Sequence, residues 1–177
     1  MALLYLVPLL WPAETSLLVR LRARLEPTFA CEVVARMPRF DPEASFDSSR
    51  GQYSSTGLLE SLLEEPCADG SRILGVASVD LFIPILTFVF GEAQLDGRAA
   101  VVSTYRLDNT HYGLPGNEPL LLERLTKEAV HELGHTYGLI HCADTACVMH
   151  SSTYVEDIDV KSSQFCSACL PAVRVGR

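Results

Sequence analysis

The chain has 177 residues, the size of one ordinary domain and enough to bury a core. Apolar residues make up 48% and charged residues 20%, a globular composition. The formal net charge of −8 argues against a nucleic-acid binder, which would carry basic patches, and no apolar run approaches the roughly 20 residues of a membrane-spanning helix.

The chain opens with MALLYLVPLLWP. A secretory signal would need a positive start and a small-residue cleavage site, and Pro8 and Pro12 interrupt the run. The reading taken is a buried strand over Leu3 to Val7. Without an export signal the expected compartment is the cytoplasm, where stable disulfides are uncommon. Glu14 to Leu25 is predicted helical, with Leu17, Leu18, Leu21 and Leu25 on one face; Arg20, Arg22 and Arg24 fall on the solvated side. ACEVVA (30–35) is a short strand. The stretch 37–55, rich in Pro, Asp, Ser and Gly, reads as a loop. GLLESLLEE (57–65) is a second helix.

A β-rich middle follows: ILGVASVDLFI (73–83), TFVFGEA (87–93) and AAVVSTYRL (99–107), with turn signals at Gly91 and Asp96-Gly97. Asn117 is placed to cap a long helix, and Pro119 sits in its first turn. That helix runs to Gly138. The order β, α, β, α, β, β, β, α predicts an α/β domain with a mixed sheet.

HELGHTYGLIHC (131–142) carries the chemistry. Residues four apart lie one turn apart on a helix face, so His131 and His135 can point at one ion. Gly138 can enter the left-handed conformation, end the helix and swing His141 back to the same ion. Three imidazoles suit a zinc site with about 2.0 Å bonds and an open fourth position for water. Glu132 lies about 100° round the helix from His131, beside the metal and not needed as a ligand. It is the candidate general base, taking the water's proton during attack on a carbonyl and passing it to the leaving amine.

Four of the six cysteines follow the helix: Cys142, Cys147, Cys166 and Cys169, as C-x4-C, an interval of 18 residues, then C-x2-C. Two close pairs suit a closed, structural tetrathiolate zinc site; two disulfides or four unrelated thiols are the alternatives. Cys31 and Cys67 stand alone and read as core residues. Met149 lies between the pairs, eight residues after His141. His150 reads as a turn residue, and Glu156, Asp157 and Asp159 as a solvated loop.

HExxHxxGxxH is the metzincin zinc signature, and HELGHTYGLIHCADTACVMH followed by CSAC resembles the archaemetzincin family. ILGVASVDLFIP, FVFGEA and AVVSTYRL resemble the same family, so the likeness covers essentially the whole chain. The interval from Met149 to Cys166 is 16 residues, one short of the family pattern, and is read as a loop deletion that leaves the ligands intact.

The resemblance implies a compact metzincin-like zincin domain: a mixed, mostly parallel twisted sheet with an antiparallel edge strand, packed against helices, and a long zinc-binding active-site helix. It implies one metallopeptidase domain over 1–177. Residues 1–116 form a sheet-rich part with two helices, 117–138 the active-site helix, and 139–177 the third ligand, the Met-turn and the four-cysteine segment. It implies two zinc ions per chain, one catalytic on His131, His135 and His141 and one structural on Cys142, Cys147, Cys166 and Cys169, with Met149 as a floor beneath the metal. It also implies that AVVSTYR is the edge strand beside the cleft. Some metzincins carry a tyrosine two residues after the turn methionine; here residue 151 is serine, so no oxyanion donor is assigned. Tyr137 fits a site residue or a core residue equally.

The function expected is a zinc-dependent metallopeptidase acting on peptide or protein substrates, monomeric, with neither nucleic acid nor membrane as partner. The competing reading is a zinc-stabilised binding or regulatory module with little proteolytic activity, which would have no use for Glu132. Hydrolysis of a non-peptide amide shares the same chemistry. Substrate preference and endo- or exopeptidase mode are not legible in the sequence.

Overall fold

The computed structural model describes residues 2–11 and 15–175; the expected helix start at Glu14 lies outside them. Strand β1 (Leu3–Leu9) is the buried N-terminal strand, extended two residues beyond expectation. Helix α1 (Ser16–Phe29) begins at Thr15, whose hydroxyl accepts from the Leu18 N–H. It continues through Pro27 to Phe29, four residues past the expected end. An internal proline costs about 3 kcal/mol, and burying Leu25 and Phe29 on the continuing apolar stripe offsets it at about 1.5–3 kcal/mol each. Ala30 then turns left-handed and β2 (Glu32–Ala35) begins two residues later than expected.

The 37–55 stretch is not all loop. It holds a 3-10 turn (Pro42–Ser45), β3 (Phe46–Asp47) and β4 (Gln52–Ser54). Asp47 closes the hairpin by accepting from the backbone N–H groups of Ser49 and Arg50. Helix α2 (Ser55–Glu64) follows, capped by Ser54. The single strand expected over 73–83 is two. Strand β5 (Arg72–Ala77) ends where Ala77 O accepts from Thr104 N–H, and β6 (Leu81–Phe82) leaves for a second sheet beside β4. Only Gly91–Ala93 of TFVFGEA is strand, β7. Strand β8 (Ala99–Ser103) follows, then α3 (Glu118–Thr136), α4 (Val155–Val160) and α5 (Leu170–Val175).

The main sheet has the order β2-β1-β5-β8-β7. All pairs are parallel except β7–β8. Helices cover both faces, as a parallel sheet requires. Ala100 and Val102 of β8 face a core shared with α1 and α3; Ala99 and Val101 face one shared with α2. The mostly parallel sheet with an antiparallel edge is the expected one, but its edge strand is β7, not AVVSTYR. All five residues of β8 are buried between β5 and β7. Its unbroken apolar run is the mark of a central strand. Gly75 of β5 brings α2 close: a Cβ there would lie 2.8 Å from side-chain atoms of Leu62 and Leu9.

Candidate active site and cysteine cluster

Helix α3 starts where the expected cap places it, with Asn117 Oδ1 accepting from Leu120 N–H at 3.1 Å. It ends in a turn at Gly138, φ +81°, whose N–H donates to His135 O at 2.9 Å. Asp96, from the β7–β8 connection, donates its N–H to the same carbonyl. The turn returns His141 to the helix, and the ligand-capable atoms of His131, His135 and His141 all lie within 4.8 Å of one another.

Backbone carbonyls orient two of these rings. His131 Nδ1 donates to Val148 O at 2.8 Å and His135 Nδ1 to Leu139 O at 2.7 Å. A carbonyl only accepts, so the proton of each neutral ring sits on Nδ1 and Nε2 is bare. The two Nε2 atoms are 3.2 Å apart, close to the roughly 3.3 Å edge of a zinc tetrahedron with 2.0 Å bonds. Two lone pairs facing each other at that distance repel unless a cation lies between them. Burial pushes both imidazoles below their usual pKa, His131 far below, which disfavours the charged form that would relieve the repulsion. The donor set fits zinc with one position left open.

Glu132 lies in the same cleft, a space of about 340 Å³ between the 86–91 segment and α3. Its side chain packs against Gly91, where a Cβ would come within 2.7 Å of Glu132 Cγ and within 2.6 Å of Val101 O. Burial raises its pKa well above the usual carboxylate range; Glu128 and Glu92 add to this, and Lys161 opposes it. Met149 is fully buried beneath the helix, with its sulfur over Gly134.

The four cysteine sulfurs also fall within 4.8 Å of one another. Cys142 Sγ and Cys166 Sγ are 3.8 Å apart. That is far from the 2.05 Å of a disulfide and matches the roughly 3.8 Å edge of a tetrahedron with 2.3 Å Zn–S bonds. Cys147 Sγ accepts backbone N–H bonds from Met149 and Cys166, both at 3.4 Å. Backbone N–H groups of Cys169 and Ala168 hold the Cys166 thiol down at about 7, while burial pushes the Cys147 and Cys169 thiols up. Such donors stabilise a thiolate. The set fits a closed zinc site.

Residues 34–175 match the model of peptidase family M54. The chain belongs to that family. The archaemetzincin of Methanocaldococcus jannaschii is 44% identical over 141 residues, 79% of this chain and 75% of that one. The archaemetzincin of Methanopyrus kandleri is 45% identical over 128 residues, 72% and 69% respectively. The crystal structure of the Methanopyrus kandleri archaemetzincin superposes with a TM-score of 0.83 at 38% identity, covering 98% of this chain and 94% of that chain. That of the Archaeoglobus fulgidus archaemetzincin, complexed with malonate, gives 0.78 at 36%, covering 96% and 99%. This M54 protein is a zinc metallopeptidase of archaemetzincin type.

Several residues of the M54 cleft escape a motif reading. Gly91 looks like a turn signal but is the first residue of β7, left bare to admit Glu132. Glu128 and Ser152 line the cleft. Lys161 is wholly buried, its Nζ 2.9 Å from Glu128 Oε1 and 3.1 Å from His150 O. The only hint of Glu128 in sequence is its place one turn before Glu132; Lys161 gives none, because a lone lysine usually marks solvent. Tyr137 resolves as a packing residue, stacked on Phe29 with the Arg72 guanidinium over its ring. His150 braces the turn by donating from Nδ1 to Cys142 O. The acidic run is helical rather than a loop, though Glu156 and Asp159 stay exposed: Asp157 accepts from Thr153 and Tyr154 N–H at the start of α4, and Asp159 pairs doubly with the buried Arg124. Cys31 and Cys67 are half-buried, each packed against the margin of a core cluster.

Proposed function

We propose that this peptidase holds its catalytic zinc on His131, His135 and His141, uses Glu132 as general base, and carries a second, structural zinc on Cys142, Cys147, Cys166 and Cys169, with Met149 as the floor of the site. The observation that carries the reading is the pair of bare Nε2 atoms facing each other at 3.2 Å while both Nδ1 atoms are spent on carbonyls. When bound, zinc supplies Lewis acidity, polarising the scissile carbonyl and lowering the pKa of the attacking water.

The chain's own groups do the rest. Glu132 takes the water's proton and delivers it to the departing amine. Gly91 leaves room for that carboxylate, and Val148 and Leu139 hold the imidazoles in register. The outer edge of β7 is free within the main sheet, and an extended peptide can add to it as a further strand. No oxyanion donor is assigned to Ser151.

The reading extends to one metallopeptidase domain over 1–177, divided at 116 and 138 as the sequence suggests, and to a cytoplasmic monomer with no nucleic-acid or membrane partner. Six unpaired cysteines and the −8 charge support it. Among the described residues no helix is long and apolar enough to cross a membrane.

The test is cleavage of a mixed peptide library by the zinc-loaded protein, read by mass spectrometry, beside Glu132→Ala and with zinc counted. Cuts that vanish in the variant, at two zinc ions per chain, bear the reading out. Equal cutting by the variant removes Glu132 from the mechanism.

A further inference from the structure

Two polar atoms in the wall of the catalytic cleft lack a hydrogen bond. Ser152 Oγ is buried with no partner. Glu128 is only 3% exposed, and its Oε1 accepts no hydrogen bond of good geometry, although Lys161 Nζ lies 2.9 Å away. Both residues line the space that His131, Glu132 and His141 share. Buried polar atoms without a protein partner are uncommon in folded proteins and mark strain, a bound water or a place for a ligand. These two flank one space beside the reacting centre.

Glu128 lies one helical turn, about 6 Å, before Glu132 on the same face of α3. A substrate held for attack at Glu132 therefore brings a side chain next to its scissile bond within reach of Glu128. The chemistry of the wall selects that side chain. A carboxylate only accepts, and a hydroxyl donates or accepts. An apolar side chain would exclude water, leave Ser152 Oγ without a partner and leave Glu128 with Lys161 alone, and such losses are where enzymes discriminate most strongly. An acidic side chain would face Glu128. A basic one would meet a carboxylate whose charge Lys161 already balances from behind, and would lie beside the zinc.

We propose that Glu128 and Ser152 form a specificity subsite for an uncharged, hydrogen-bond-donating side chain, glutamine or asparagine, adjoining the scissile bond. This rests on the proposed histidine zinc site and adds a substrate class to it.

The experiment measures binding, so it does not depend on turnover. Zinc-loaded protein is titrated calorimetrically with acetohydroxamate and with matched dipeptide hydroxamates whose residue beside the chelating group is Gln, Met, Lys or Glu. The Gln compound is expected to bind at least about tenfold tighter than the near-isosteric Met compound, with Lys and Glu weaker than Gln. In the triple variant Glu128→Leu, Lys161→Met, Ser152→Ala, which removes the ion pair as a unit, the Gln–Met difference should fall to within about twofold. Binding of Met or Lys as tightly as Gln by the wild type overturns the subsite. So does a Gln preference that persists in a folded triple variant; the wild-type series decides alone if that variant does not fold. Failure of acetohydroxamate itself to bind overturns the histidine zinc site and the subsite with it. Its binding without a Gln–Met difference overturns the subsite alone.

Discussion

The sulfur of Met149 occupies the space that a side chain on Gly134 would need. Gly134 lies between the two helical histidines, so the contact seats the methionine turn, the proposed floor of the site, against the helix that carries Glu132. Elsewhere in a helix, glycine to alanine gains up to about 1 kcal/mol. Here the new methyl overlaps Met149 and comes within 3.1 Å of Phe165. Overpacking a full core costs about 1–3 kcal/mol, so the clash should win. Gly134→Ala is expected to lower the melting temperature and weaken zinc retention against a chelator. A rise in melting temperature with unchanged zinc affinity would show that Met149 yields easily and does not brace the helix.

Glu132→Gln keeps the shape that fills the space over Gly91 and removes the proposed base. Peptide hydrolysis should fall by at least about 10²- to 10⁴-fold, the range for general-base loss. Zinc content should stay the same, because Glu132 is not among the clustered nitrogens. Steady-state kinetics beside metal analysis separate the two effects. Lost zinc would mean that Glu132 acts on the metal site instead.

The legibility of the molecule follows the range of its interactions. His131, His135, Gly138 and His141 are legible because one helix and one turn relate them, and the four cysteines because thiolates in two close pairs have few other uses. The sheet class is legible from apolar runs. Which strand forms its edge is not, since β7 is three residues long and its place is set by pairing with β8. The 73–83 run breaks because Asp80 is held by Gln52 and, bidentately, by Arg106, neither near in sequence. Lys161 is invisible for the same reason: its partners come from α3 and the methionine turn.

Lys161 ties those two parts together, pairing with Glu128 and donating to His150 O. The pair is buried, with side-chain exposures of 0% and 4%. Removing one member of a buried pair costs about 3–5 kcal/mol, whereas replacing both with apolar groups is often near neutral. Lys161→Met should therefore be strongly destabilised in urea unfolding. The double variant Glu128→Leu, Lys161→Met should recover most of that stability. A single variant as stable as wild type would mean that the pair contributes nothing to the fold.

The cysteine cluster is expected to act on the histidine site through one residue. Val148 lies between Cys147 and Met149, and its carbonyl fixes the His131 ring. Its N–H donates to Gln164 O, two residues before Cys166. Zinc on the four sulfurs would pin both ends of this segment, and with it the carbonyl that sets the His131 tautomer. Cys166→Ser should thus do two things. It should lower the zinc count by about one per chain and destabilise the fold, because structural zinc contributes directly to folding. It should also weaken the remaining zinc by about 10–100-fold, the usual effect of losing support behind a ligating histidine. Graded chelator competition, with zinc counted at each step, resolves the two sites. Loss of one zinc with the other held as tightly as in wild type would show that the sites are independent. An unchanged zinc count and melting temperature would remove the structural ion altogether.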